Sequence, residues 1–153
     1  MVQFLYKTRE MNPNTHMQET TLPSMPDMML PTLFSLRKGK RIGEKGIHIE
    51  KSFEDIQINA SKMDTFLGYF GFQSKSPLSY LYVLAQRAQI KVMLDSEFTM
   101  AIPGMIHVEN QLVMDSAYNR NDPFHIQAKV NVPYKKEGSL IPISEIHFLQ
   151  NGK

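Results

Sequence analysis

Between residues 78 and 94 the apolar residues Leu78, Leu81, Ala85, Ala88 and Val92 recur at steps of three and four, and Val83, Leu84, Ile90, Met93 and Leu94 widen the stripe beyond one face. The pattern predicts a long buried helix. Seventeen residues at about 1.5 Å each make a rod of roughly 25 Å, comparable with the strands of a small sheet, so the expected partner is a sheet curling around it. Alternating segments supply that sheet. Ile47 and Ile49 open an extended piece, and Ile56 and Ile58 alternate with Asp55 and Gln57. In residues 105–114, Ile106, Val108, Leu112 and Met114 share one face, while His107, Glu109 and Gln111 point the other way. Ile126, Ala128, Val130 and Val132 repeat the alternation. In residues 140–150 the phase changes between Ile141/Ile143 and Ile146/Phe148, which with Pro142 predicts a bulge near Ser144-Glu145 or an edge position.

Shorter helices complete the reading. Ser61 is placed to cap one in which Met63, Phe66, Leu67 and Phe70 fall on one face, with Gly71 where a left-handed C-cap is required. Pro31 is placed to open another, with Leu33, Phe34 and Leu36 apolar before a basic run ends it. Residues 1–30, punctuated by Pro13, Pro23 and Pro26 in a polar, Met-rich context, are expected to be a mostly irregular, flexible segment, leaving residues 31–153 as the folded domain. The chain ends on Asn151-Gly152-Lys153. Asn-Gly after an alternating strand signals a hairpin whose second strand is missing, so the expectation is either a fragment of a longer protein or a partner on the open edge, such as a homodimer.

Composition narrows the function classes. A net charge of +2, with 21% charged residues, provides no field suited to nucleic acid or to an anionic membrane surface. Without cysteine there is no disulfide frame, thiol nucleophile or cysteine metal cage, which suits a reducing, cytoplasmic setting. The sequence carries no transmembrane run, and Lys7, Arg9 and Glu10 interrupt the first apolar patch too early for a secretory leader.

The segment SPLSYLYVLAQ followed by PGMIHVENQLV resembles the first half of double hot-dog proteins in the MaoC-like acyl dehydratase family. In that family a Pro-Leu-x-Tyr entry precedes the long helix and a Gly-hydrophobic-hydrophobic-His-Val-x-Asn strand follows it. The resemblance covers residues from about Pro31 onward, and Leu81-Tyr82 departs from the Pro-His common among relatives. It implies an α+β hot-dog fold, an antiparallel sheet wrapped around one long helix, here lacking its last strand. It also implies an enoyl-thioester hydratase or 3-hydroxyacyl-thioester dehydratase setting, the acyl thioester of coenzyme A or of acyl carrier protein being substrate, with no further cofactor and with a second hot-dog domain supplied in cis or in trans. The family's catalytic Asp and His come from an Asp-x-Asn-Pro-hydrophobic-His motif at the helix entry, where one holds the water and the other passes a proton. Between Gly71 and Leu94 this chain has neither residue. The resemblance is therefore to the half that shapes the acyl pocket without catalysis, the alternative being a stand-alone binding or assembly module.

Candidate site residues follow. His107 and Glu109, two apart on a predicted strand, form either an acid/base couple or part of a solvated polar face. Tyr80 and Tyr82, at the mouth of the helix, line an acyl tunnel or are core rings with hydroxyls reaching the surface. Arg37, Lys38, Lys40 and Arg41 are candidates for phosphate contacts to coenzyme A or a carrier protein, against the reading as solvated cations near a helix C-terminus. Gly39, Gly43 and Gly46 lack the Lys-Ser/Thr continuation of a phosphate-binding loop. The five histidines show no metal-ligand spacing, and there is no Gly-x-Ser-x-Gly elbow. Of eleven methionines, Met63, Met93 and Met114 are expected in the core and the N-terminal ones exposed, with an adaptable apolar surface as the alternative.

Overall fold

A computed structural model describes residues 2–6, 18–19, 21–38, 46–74, 77–106, 108–114, 117–134 and 140–150. In chain order the elements are β1 (Val2–Tyr6), β2 (Gln18–Glu19), α1 (Met25–Phe34) running into a 3-10 turn (Ser35–Arg37), β3 (Ile47–Ile56), α2 (Ala60–Phe70), α3 (Leu78–Met93), β4 (Asn110–Met114), β5 (Phe124–Val132) and β6 (Ile143–Leu149). The fold is α+β. Strands β3, β5 and β6 form an antiparallel sheet, β2 joins β3 in parallel, and β1 pairs with β4, also in parallel. β1 runs alongside β6.

Helix α3 lies across this sheet. Leu81, Ala85, Ala88 and Val92 form its inward stripe, all nearly without solvent contact, and two alanines in the middle let the helix backbone approach β5 closely. From the sheet Phe53, Ile126, Ala128, Val130 and Ile146 meet it in one core. The strict two-residue burial alternation of β5 matches the pattern read from its sequence. A buried polar contact crosses the layer: Gln89 Nε2 of α3 donates to Ser144 Oγ of β6 at 3.1 Å, both residues buried.

Several boundaries differ from expectation. Helix α1 starts at Met25 rather than Pro31, because Ser24 and Asp27 form a reciprocal capping box and Pro26 occupies the first turn, where a missing N–H costs nothing. Pro31 lies inside the helix. The segment expected to be mostly irregular thus contains β1, β2 and most of α1 among its described residues. Asn59, not Ser61, caps α2 by accepting from the Lys62 N–H at 2.9 Å, while Gly71 takes the expected left-handed C-cap with φ 68°. The two extended pieces around Ile49 and Ile56 are one strand, β3, whose register shifts between Phe53 and Ile56 with Asp55 at φ 52°.

One strand expectation fails more fully, and of the two offered for residues 140–150 the edge position holds, since β6 is the last strand of its four-stranded sheet. Residues 105, 106, 108 and 109 are outside β4, and Ile106 and Val108 are 85% and 74% exposed rather than core-facing; Leu112 and Met114 are exposed as well. Strand β6 needs no bulge, since its register with β5 is unbroken from His125/Leu149 to Asn131/Ile143. The apparent phase change arises because Ile141 and Pro142 precede the strand and Ile143 faces outward, while Ser144, Ile146 and Phe148 face the core. The terminal Asn151-Gly152 turn lies outside the described residues.

Candidate functional site

Among the described residues, the tyrosine candidates and Lys38 fall at opposite ends of α3 and are not brought together. Tyr80 and Tyr82 stand in its first turns. The Tyr80 ring is buried edge-on against Phe66, centroids 5.4 Å apart; burial pushes its hydroxyl pKa up, and nearby Arg87 opposes the shift. Tyr82 is half-buried, its hydroxyl accepting from Gln86 Nε2 at 2.9 Å and from Asn110 Nδ2 of β4 at 3.2 Å. Beside it, Leu78, Leu81, Leu112 and Phe148 enclose an apolar void of about 20 Å³, room for about one water. Tyr118 closes this end by donating its hydroxyl to the Pro77 carbonyl at 3.2 Å.

Lys38, one of the cationic candidates, lies at the other end, some eleven residues or roughly 16 Å further along the helix. Lys38 Nζ donates to the Asp95 carbonyl at 2.7 Å and the Met93 carbonyl at 3.2 Å, and sits 5.7 Å from the Phe98 ring centre. It therefore serves the C-terminal carbonyls of α3, where a cation also meets the favourable end of the helix dipole. Burial lowers the Lys38 pKa, and the Asp95 carboxylate acts against that shift. Arg37 is exposed, its guanidinium 5.4 Å from the Phe34 ring centre. Lys40, Arg41 and His107 lie outside the described residues, and Glu109 is exposed just before β4.

The sequence reading missed a buried ion pair at this end. Lys51 of β3 is 6% exposed, and its Nζ lies 2.9 Å from Asp95 Oδ2. Burial alone raises the Asp95 pKa, but the Glu97 N–H, Lys51 and the Ser96 hydroxyl together outweigh it and hold the carboxyl below its ordinary value. The alternation of β3 hid the pair, because Lys51 occupies an inward position among Ile49 and Phe53. On the opposite, outer face of the sheet the polar residues pair across strands, Lys129 with Glu50 at 3.4 Å and His125 Nδ1 2.6 Å from Glu54 Oε2, while His48 Nδ1 meets Asn131 Oδ1. Among the described residues no group of three or more His, Asp or Glu could hold a metal ion, and no helix is long and apolar enough to cross a membrane.

Room for a ligand lies along the flank of α3 that runs beside α1 and residues 102–106. Gln86, Ile90 and Met93, at i, i+4 and i+7, form the floor of a groove. One compartment, about 290 Å³, is walled by Gln89, Ile102, Met105 and Ile106; the next, about 370 Å³, lies against α1 among Met25, Met29, Leu33 and Pro103. Ile90 lines both. Each is open to solvent on one side, and both are of the size of ordinary small-ligand sites, about 300–1,000 Å³. Of the methionines, Met63 and Met93 are core as expected, whereas Met114 is exposed and Met28 is buried under α1. No family model matches the chain, and no curated protein or solved structure matches it significantly.

Proposed function

We propose that the chain is a hot-dog domain that binds an acyl thioester, of coenzyme A or of a carrier protein, and takes no part in the proton transfers of hydration. The observation that carries this reading is the uncharged groove along α3, whose floor is a helix laid on an antiparallel sheet. The order strand, helices, then further strands is compatible with a hot-dog arrangement and with the resemblance of residues 76–114 to MaoC-like acyl dehydratases. The absence of Asp and His between Gly71 and Leu94 removes the positioned acid/base pair that such chemistry requires, a loss worth roughly 10²- to 10⁴-fold for one group alone. A second hot-dog domain, in cis or in trans, would supply catalysis in a complete enzyme; without one the chain would be a binding module.

Titration with hexanoyl- and palmitoyl-coenzyme A in a calorimeter, alongside an assay following loss of the conjugated double bond of an enoyl-coenzyme A, tests this. Saturable binding without turnover is expected. Failure of every acyl thioester to bind would contradict the binding role, and turnover abolished by His107→Ala would contradict the non-catalytic one.

A further inference from the structure

We infer that the charged compartment among β3, the start of α1 and the end of α3 is a binding site for a small zwitterion with an apolar body, of the amino-acid class. It is a different compartment from the uncharged groove, and the inference does not rest on the acyl-thioester reading. The space is about 410 Å³, within the range of ordinary small-ligand sites, and it is open to solvent on one side. Its charges come from three elements. Lys51 reaches it from β3, Lys91 and Asp95 from the last turn of α3 and just beyond it, and Asp27 from the first turn of α1. The rest of the lining is apolar, being Met28, Leu94 and two prolines. Two ammonium groups and two carboxylates therefore face one apolar space, and their charges sum to zero.

That balance selects the ligand. A simple carboxylate gains from the lysines and is repelled by both aspartates, a simple amine meets the reverse, and a molecule carrying both charges answers each side. An internal stretch of peptide backbone carries neither charge. The inner pair is Lys51 and Asp95, 2.9 Å apart, with the Lys51 side chain 8% exposed. Apolar side chains would hold the fold about as well as this buried pair, so what the pair itself adds is charge on the wall of the compartment. The outer pair is Lys91, half-buried, and Asp27, exposed. Asp27 accepts the Ser24 N–H and the Ser24 hydroxyl on Oδ2 alone, at 3.2 and 2.5 Å, which leaves Oδ1 without a hydrogen-bond partner among the described residues. The ligand carboxylate is placed at Lys91 and Lys51, its ammonium at Asp27 with Asp95 near, and its side chain against Met28 and Leu94. Met28 is an unbranched thioether, which fits itself to side chains of different shape.

The test titrates the whole chain with L-leucine, L-methionine and L-phenylalanine, and with the two analogues of leucine that keep one charge each, 4-methylpentanoate and 3-methylbutylamine. At least one amino acid should bind saturably, and leucine should bind at least about tenfold more tightly than either analogue, the worth of one charge-assisted hydrogen bond. Two variants at partly exposed positions, Asp27→Asn and Lys91→Met, assign the charges. Asp27→Asn should close the gap between leucine and 4-methylpentanoate, and Lys91→Met the gap between leucine and 3-methylbutylamine, changes that a merely structural role would not produce. Ser24→Ala removes the same capping contact but keeps the Asp27 carboxylate, and should bind leucine as the unaltered chain does. Binding of 4-methylpentanoate or of 3-methylbutylamine as tight as that of leucine makes the site one for simple ions and overturns the inference. So does a loss in Ser24→Ala equal to that in Asp27→Asn, which would mean that Asp27 acts only through the cap. Absence of saturable binding by all three amino acids overturns it outright, whatever the acyl thioesters do.

Discussion

Asp95→Ala removes one member of the buried ion pair that joins β3 to the end of α3. The Lys51 and Asp95 side chains are 8% and 19% exposed, and their charged atoms are 2.9 Å apart. Truncating Asp95 deprives the largely buried Lys51 ammonium of this counter-charge, and water entering from the open compartment of about 410 Å³ that both residues line replaces part of it. Removing one partner of a buried pair costs about 3–5 kcal/mol, and the residual exposure of Asp95 places this case near about 3 kcal/mol. In a domain of this size that corresponds to a fall of roughly 6–12 °C in melting midpoint. The double variant Lys51→Met/Asp95→Leu, which replaces the pair by apolar side chains, should recover most of the loss. The pH dependence has a definite sign: because the folded state holds the Asp95 carboxyl below its ordinary value, the wild-type advantage is complete above the usual aspartate range and is lost as pH falls through the lower folded value. Urea unfolding followed by circular dichroism across acid pH measures both. A deficit below about 1 kcal/mol, the value of an exposed pair, or one unchanged in strong acid, would refute the reasoning.

Other substitutions test separate contacts. Gly46 has φ 73°, and a Cβ there would lie 2.6 Å from the Val132 carbonyl oxygen, so Gly46→Ala should lower the urea midpoint by the equivalent of about 1–3 kcal/mol without changing the slope. Ser24→Ala breaks the capping box of α1 and should cost about 1 kcal/mol, read as faster amide exchange in residues 25–28. Gln89→Leu strands the Ser144 hydroxyl in the core at about 1–3 kcal/mol, and adding Ser144→Ala should restore part of it; additive losses in that double variant would contradict the pairing.

The parts of the fold written in local periodicity could be read directly. The inward stripe of α3, the alternation of β5 and the left-handed cap at Gly71 depend on residues close in sequence, and each stands where its pattern places it. The capping box of α1 was equally local, in Ser24 and Asp27, but the flanking prolines Pro23 and Pro26 read as breakers although a proline in the first helical turn is favourable. Alternation misled in residues 105–109, because it reports compatibility with a strand and not the presence of a neighbouring strand to pair with. The candidate site was the least legible. Its groove brings together residues about sixty positions apart on α1 and α3, and the Lys51–Asp95 pair joins positions 44 apart, so neither leaves a mark within one window of sequence.

The methionines allow the central claim to be tested in one titration. With methyl-13C methionine, the spectrum of the chain is recorded as palmitoyl-coenzyme A is added, and the methyl resonances are assigned by single Met→Leu substitutions. A tail lying in the groove shifts Met25, Met29 and Met105, which line it, and leaves Met63, buried in the core, and Met114, exposed on β4, where they were. Shifts confined to Met114, or no saturable shift at any methionine of the groove, would contradict an acyl site along α3.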